Sequence, residues 1–227
     1  MKIILLIVIA LISFAGLSTE KVIELDEFFN LNVVGNFKVT LIKGNSHKVK
    51  VINNDESVLD ENIVVENNGS ELIIKLKKDI YKEREIVFIV YYKELFSIKA
   101  KRGAYVGAEE KLPSESITVE VASGGHVQLS VDSKSANFSI RNGGTIDVKG
   151  NVESTKFYVS KGGNIAASKL VAQSANAEIL FGGEIVLNVT ISIVAVVKSG
   201  GAIKYKGKPK NVSEEIKLGG RIVKLDK

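Results

Sequence analysis

Six Gly-Gly pairs punctuate the second half of the chain: Gly124-Gly125, Gly143-Gly144, Gly162-Gly163, Gly182-Gly183, Gly200-Gly201 and Gly219-Gly220. The steps between them are 19, 19, 20, 18 and 19 residues, and the pairs hold twelve of the chain's 20 glycines. A fixed short period of this kind marks a repeat architecture in which each unit stacks on the next. The flanking columns say which kind. Three residues before each pair stand Val121, Ile140, Val159, Ile179, Val197 and Ile216; three residues after its first glycine stand Val127, Ile146, Ile165, Ile185, Ile203 and Ile222. Two positions further out, the early side reads Val119, Phe138, Phe157, Ala177, Ala195 and Glu214. The late side reads Leu129, Val148, Ala167, Leu187, Tyr205 and Lys224. Alternation on both sides of a glycine corner describes two short strands with one buried face. Val and Ile suit that pleated surface.

The fold expected is all-β: a parallel β-helix, or solenoid, with coils of about 19 residues. Successive rungs then pair in parallel about 4.8 Å apart, with like residues stacked in inward ladders. A sandwich of hairpins would favour Asn-Gly or Asp-Gly turns and supplies no reason for a constant step. The corner glycines are expected to take positive φ and to let neighbouring coils approach closely. Outward between the columns lie His126, Thr145, Asn164, Glu184, Ala202 and Arg221. In the sixth coil Glu214 and Lys224 replace apolar entries. They place charge where a further coil would dock, so this end reads as a stop; end-to-end stacking into a polymer is the alternative.

The first half is less regular. Phe37, Val39 and Leu41 alternate up to Gly44-Asn45; Ile63 and Val65 lead to Asn68-Gly69; Ile86, Phe88 and Val90 run to Lys93-Glu94. These breaks, about 25 residues apart, fit either larger coils of the same solenoid or a small antiparallel cap. The charge runs Lys77-Lys78-Asp79 and Lys82-Glu83-Arg84-Glu85 read as solvated loops. Met1-Lys2, the apolar run Ile3 to Phe14 and the small residues after it describe a secretory signal peptide, cleaved after Ser18 or Ala15. That run is shorter than the roughly 17–25 residues of a spanning helix, so the mature chain is expected to carry no integral membrane segment. The expected organisation is a signal peptide at 1–18, an N-terminal β region at 19–110 and the regular solenoid at 111–227.

An all-β chain with a leader that opens with Phe-x-Val-x-Leu, Gly-Asn and Val-x-Val (Phe37 to Leu41, Gly44-Asn45, Val49 to Val51) and ends in Gly-Gly-x-Ile coils resembles the putative auto-transporter adhesin, head GIN domain family. The resemblance covers about residues 25–225. It implies an exported β-helical domain of unknown function, with surface adhesion by analogy to autotransporter passengers, and it brings no catalytic residues. No membrane-barrel segment follows the repeats, so self-translocation is not expected.

Composition narrows the chemistry. With no Cys the chain has no disulfides, no thiolate metal site and no lipoprotein anchor, and only His47 and His126 remain for zinc. The net charge of +5 is spread among interspersed Lys, Asp and Glu, which is no nucleic-acid footprint. A polysaccharide-active enzyme needs clustered carboxylates. Asp132 and Asp147 occupy different coil positions and should not stack. No catalytic residue, cofactor site or metal site is therefore assigned. The reading is an exported, non-enzymatic binding or structural module at the cell surface or in the periplasm, engaging a surface glycan or a protein. The enzyme and the self-assembling polymer stand as alternatives. The candidate contact ladder is His126, Thr145, Asn164, Glu184 and Arg221, with Tyr158 and Val196 as outward residues able to stack on a ligand.

Overall fold

The computed structural model describes residues 19–55, 58–78 and 84–226. The leader at 1–18 and positions 79–83 of the charge runs lie outside the described residues. The first eight strands are β1 (Thr19–Glu24), β2 (Asn30–Val34), β3 (Lys38–Lys43), β4 (Lys48–Asn53), β5 (Ile63–Asn68), β6 (Glu71–Leu76), β7 (Ile86–Tyr92) and β8 (Ser97–Lys101). The regular half comprises β9 (Tyr105–Ala122), β10 (His126–Arg141), β11 (Thr145–Lys161), β12 (Asn164–Phe181), β13 (Glu184–Ser199), β14 (Ala202–Lys206), β15 (Asn211–Leu218) and β16 (Arg221–Lys224). All sixteen join one hydrogen-bonded sheet, wound into a parallel β-solenoid.

From β9 onward each coil lies in parallel register on the last, like residue on like. Val127 pairs with Ile146, Ile146 with Ile165, Ile165 with Ile185, Ile185 with Ile203 and Ile203 with Ile222. The longer 20-residue step is absorbed by a bulge within β12, where the register against β11 shifts between Ala166, opposite Asp147, and Lys169, opposite Lys149. Val121, Ile140, Val159, Ile179 and Val197 are fully buried, as are Val127, Ile146, Ile165, Ile185 and Ile203. Phe138 and Phe157 stack in the same interior at 5.5 Å and 15° between ring planes. Burying each such aliphatic side chain contributes roughly 1.5–3 kcal/mol.

The sixth coil departs from the expected burial. Ile216 is 48% exposed and Ile222 only partly buried, because among the described residues no strand pairs with the outer edge of β15 or β16. Val212 and Leu218 are exposed on the same rung. Glu214 stays at the surface, where the Tyr205 hydroxyl donates to its Oε1 at 2.8 Å.

In the first half, parallel and antiparallel pairing are combined. β3 lies in parallel on β9, and β2 on β8, so Val39 stacks on Val106 and Val33 on Ala100. β6 and β7 add a further rung, but on the far side: β2 sits between β6 and β8, and β3 between β7 and β9. The rung made first in the chain is thus inserted between two made later. The outer edges are the antiparallel strands β1, on β4, and β5, on β6. Ile23, Ile63 and Val65 of these edge strands pack against the core. Arg84 corrects the solvated-loop reading of its run: its side chain is 8% exposed, with Nη1 3.3 Å from Asp55 Oδ2.

His47, in the β3–β4 turn, is buried against Phe28, the rings meeting edge-to-face at 5.0 Å. Neither imidazole nitrogen has a hydrogen-bond partner. Burial, then the Lys93 charge, pushes its pKa below the ordinary value, with Glu27 acting weakly the other way. The unfolded chain therefore takes up the proton first, and stability falls as pH drops through about 6.5 and below. Thermal melts between neutral and mildly acid pH should show this slope, and His47→Phe should flatten it; an unchanged slope would mean that His47 titrates freely.

The two glycines of a corner should differ in tolerance. Gly182 has φ 67°, with open space where a methyl group would sit, so Gly182→Ala should cost about 1–2 kcal/mol for the left-handed backbone alone. Gly183 has φ 105°, and a Cβ there would lie 2.8 Å from the Gly163 carbonyl oxygen. Gly183→Ala should therefore be clearly the more destabilising in denaturant melts, and equal costs would contradict the close approach.

Candidate contact surface

The corners place the outward ladder. The backbone N–H of Thr145 donates to the Gly125 carbonyl at 3.0 Å, that of Asn164 to Gly144 at 3.0 Å, and that of Glu184 to Gly163 at 2.9 Å. The series continues with Ala202 to Gly183 at 2.9 Å and Arg221 to Gly201 at 3.0 Å. Parallel register then sets His126, Thr145, Asn164, Glu184, Ala202 and Arg221 in one column. The spacing is that of the rungs, about 4.8 Å. All five candidate residues stand together, with Ala202 interrupting before Arg221.

The structure adds neighbours that the repeat pattern did not single out. Tyr105 precedes His126 in the column, with ring centroids 5.1 Å apart, and Lys38 Nζ lies 5.8 Å from the Tyr105 centroid. Side chains two positions on cross-link the face diagonally. The Tyr105 hydroxyl donates to Gln128 Oε1 at 2.7 Å, His126 Nε2 lies 3.0 Å from Asp147 Oδ2, and Lys204 Nζ lies 2.6 Å from Glu184 Oε2. These pairs are part-exposed, so each contributes under about 1 kcal/mol. They orient the ladder more than they stabilise it. Tyr158 and Val196 share a different outward column and are separated in it by Glu178, which pairs with Lys198 at 2.6 Å. They do not form one apolar patch.

A second feature lies half a coil further on. Ser116, Ser135, Ser154, Ser174 and Ser192 stack in register there, with Ser192 Oγ 2.9 Å from Ser174 Oγ. Their steps of 19, 19, 20 and 18 residues match those of the glycine pairs, so the signal was present in the sequence but hidden by how common serine is. Beside this corner runs an open groove of about 760 Å³. One wall is the column Pro113, Asp132, Asn151 and Val171; the other is Glu115, Lys134, Glu153 and Gln173. Lys134 Nζ is 2.8 Å from Glu115 Oε2, and Lys111 Nζ is 3.1 Å from Asp132 Oδ2. The Glu115 carboxylate, with Glu153 adding to it, raises the Lys134 pKa. Asp132 faces Asn151 and Asp147 faces Gln128, in separate columns as the spacing requires. Among the described residues no group of three or more His, Asp or Glu side chains could hold a metal ion, and no helix is long and apolar enough to cross a membrane.

Residues 27–209 match the family described as "Putative auto-transporter adhesin, head GIN domain". The fold is similar to that of a putative adhesin from Bacteroides fragilis NCTC 9343, at TM-score 0.83 and 22% identity over 92% of this chain and 97% of the other. A putative lipid binding protein from Parabacteroides distasonis ATCC 8503 matches at TM-score 0.73 and 21% identity, over 93% and 98%. A putative adhesin from Parabacteroides merdae ATCC 43184 matches at TM-score 0.71 and 18% identity, over 93% and 98%. No curated protein matches the chain. The chain belongs to the head GIN domain family.

Proposed function

We propose that this family member is an exported, non-enzymatic binding module of the cell surface or periplasm. It presents the His126, Thr145, Asn164, Glu184 and Arg221 column to a surface glycan or protein. The observation that carries the reading is the backbone-locked column itself. From Thr145 onward each rung is held by the carbonyl of the preceding glycine corner, and His126 by that of Ala104, so the outward side chains keep their spacing without a ligand. A surface ordered in advance loses little conformational freedom on binding. The adhesin names of the family and of two structural relatives agree with that role. The enzyme alternative is less favoured, because Glu115 and Asp132 of the groove are engaged by lysines rather than set up for proton exchange.

The mature chain from residue 19 should bind in glycan-array or whole-cell pull-down assays. Replacing His126, Asn164, Glu184 and Arg221 together by Ala should weaken that binding by roughly tenfold or more while the melting temperature holds. Undiminished binding by the folded variant would remove the ladder from the reading.

End-to-end assembly has one observation in its favour, the exposed Val212, Ile216 and Leu218 on the last rung. Against it, Glu214 and Lys224 place charges in two columns that a docking coil would cover, and burying either is costly. Light scattering at rising concentration should therefore show no linear assemblies of the wild type, whereas Glu214→Val with Lys224→Val should assemble. Long assemblies of the wild type would overturn the stop.

A further inference from the structure

The groove beside the serine corner has an aromatic shelf on the rung that precedes β9. Phe96 lines it and is 45% exposed, while its ring stacks on Phe29 at 5.2 Å and 8° between planes. The backbone around the shelf is pinned on both sides: Phe96 N–H donates to the Phe29 carbonyl at 2.8 Å, and the Phe96 carbonyl accepts from Thr118 N–H at 2.9 Å. The ring is thus a pinned apolar surface in a cleft that mixes polar groups with the apolar Pro113 and Val171.

Shape, charge and backbone pairing together select the occupant. Five successive coils line the groove, a length of about 19 Å at the rung spacing, which suits a linear chain better than a compact molecule. Glu94, Glu115, Asp132 and Glu153 outnumber Lys43, Lys134 and the Lys111 paired with Asp132, so the groove is mildly acidic although the whole chain is basic, and it does not favour polyanions. An extended peptide would gain most from a free strand edge, but β10, β11 and β12 are each paired on both sides. The walls instead offer side-chain carboxylates, an ammonium and the amides of Asn151 and Gln173, a mixed donor and acceptor set suited to hydroxyl groups. An apolar ring face next to such a set matches a sugar, whose C–H face stacks while its hydroxyls hydrogen-bond.

We propose that this groove is a binding site for a neutral linear polysaccharide, with Phe96 as the stacking platform and Asn151 and Gln173 as hydrogen-bonding groups. The proposal rests on the reading of the chain as a binding module but uses a different surface from the His126 column. The test is affinity electrophoresis of the full mature chain in gels containing a linear glucan, mannan or galactan, with heparin and an oligolysine peptide as counter-probes. At least one neutral polymer should retard the chain, and heparin should not. Phe96→Ala and Asn151→Ala should each weaken retardation by roughly tenfold, while Phe96→Tyr and the exposed-residue control Lys208→Ala leave it in place. Matching melting temperatures establish that the variants are folded. The proposal is overturned if no neutral polymer binds, if Phe96→Ala binds as wild type while folded, or if oligolysine alone binds. Loss of binding in the ladder variant, with the groove variants unaffected, would overturn the groove and leave the module reading standing.

Discussion

The close approach of successive coils at the glycine corners is the constraint on which the rest of the structure depends. The second glycine of a corner offers its carbonyl to the next coil, and its own Cβ position lies within van der Waals contact of the coil before, as Gly183 against Gly163 shows. A side chain there would push two rungs apart locally, and a parallel ladder tolerates little local separation before its hydrogen bonds fail. Because those bonds are made, Ile stacks on Ile inside and His126, Thr145 and Asn164 stack outside. Interior burial and exterior display are two results of one backbone register.

The two ends of the solenoid solve the edge problem differently. At the N-terminal end the edges are the antiparallel strands β1 and β5, whose Ile23, Ile63 and Val65 turn onto the core and cover it. At the other end β15 and β16 continue the parallel coil, and the inward columns end at Val212, Ile216 and Ile222 with only partial cover. Charge at Glu214 and Lys224 takes the place of a packed cap. The inserted rung of β2 and β3 ties the N-terminal strands into the regular ladder, so one core runs from Phe28 to Tyr205.

The contact surfaces were unevenly legible. The His126 column could be read from the repeat because every member occupies the same place relative to a glycine pair. Tyr105 and Lys38 could not: Tyr105 follows the single glycine Gly103 and not a Gly-Gly pair, and Lys38 comes from a strand 67 residues earlier that pairing alone sets beside it. The groove was missed for another reason. Its wall residues differ from coil to coil, Pro, Asp, Asn and Val in one column, so only the neighbouring serines carry the period, and serine is too common a residue to draw notice.

The sequence by itself determined the winding of the second half: its period, its inward Val and Ile columns, its glycine corners and the outward parity of the candidate ladder. These follow from local rules, because side-chain alternation and positive φ are properties of a few consecutive residues. Only the tertiary structure decided the order of rungs in the first half, where β2 and β3 lie between strands made later. It also decided the burial of Arg84 on Asp55, the exposure of Ile216 and the shelf that Phe29 and Phe96 build together. Each of these depends on a partner distant in the chain or on the absence of pairing at an edge. A periodic pattern states which face a residue takes; it does not state which strand arrives beside it.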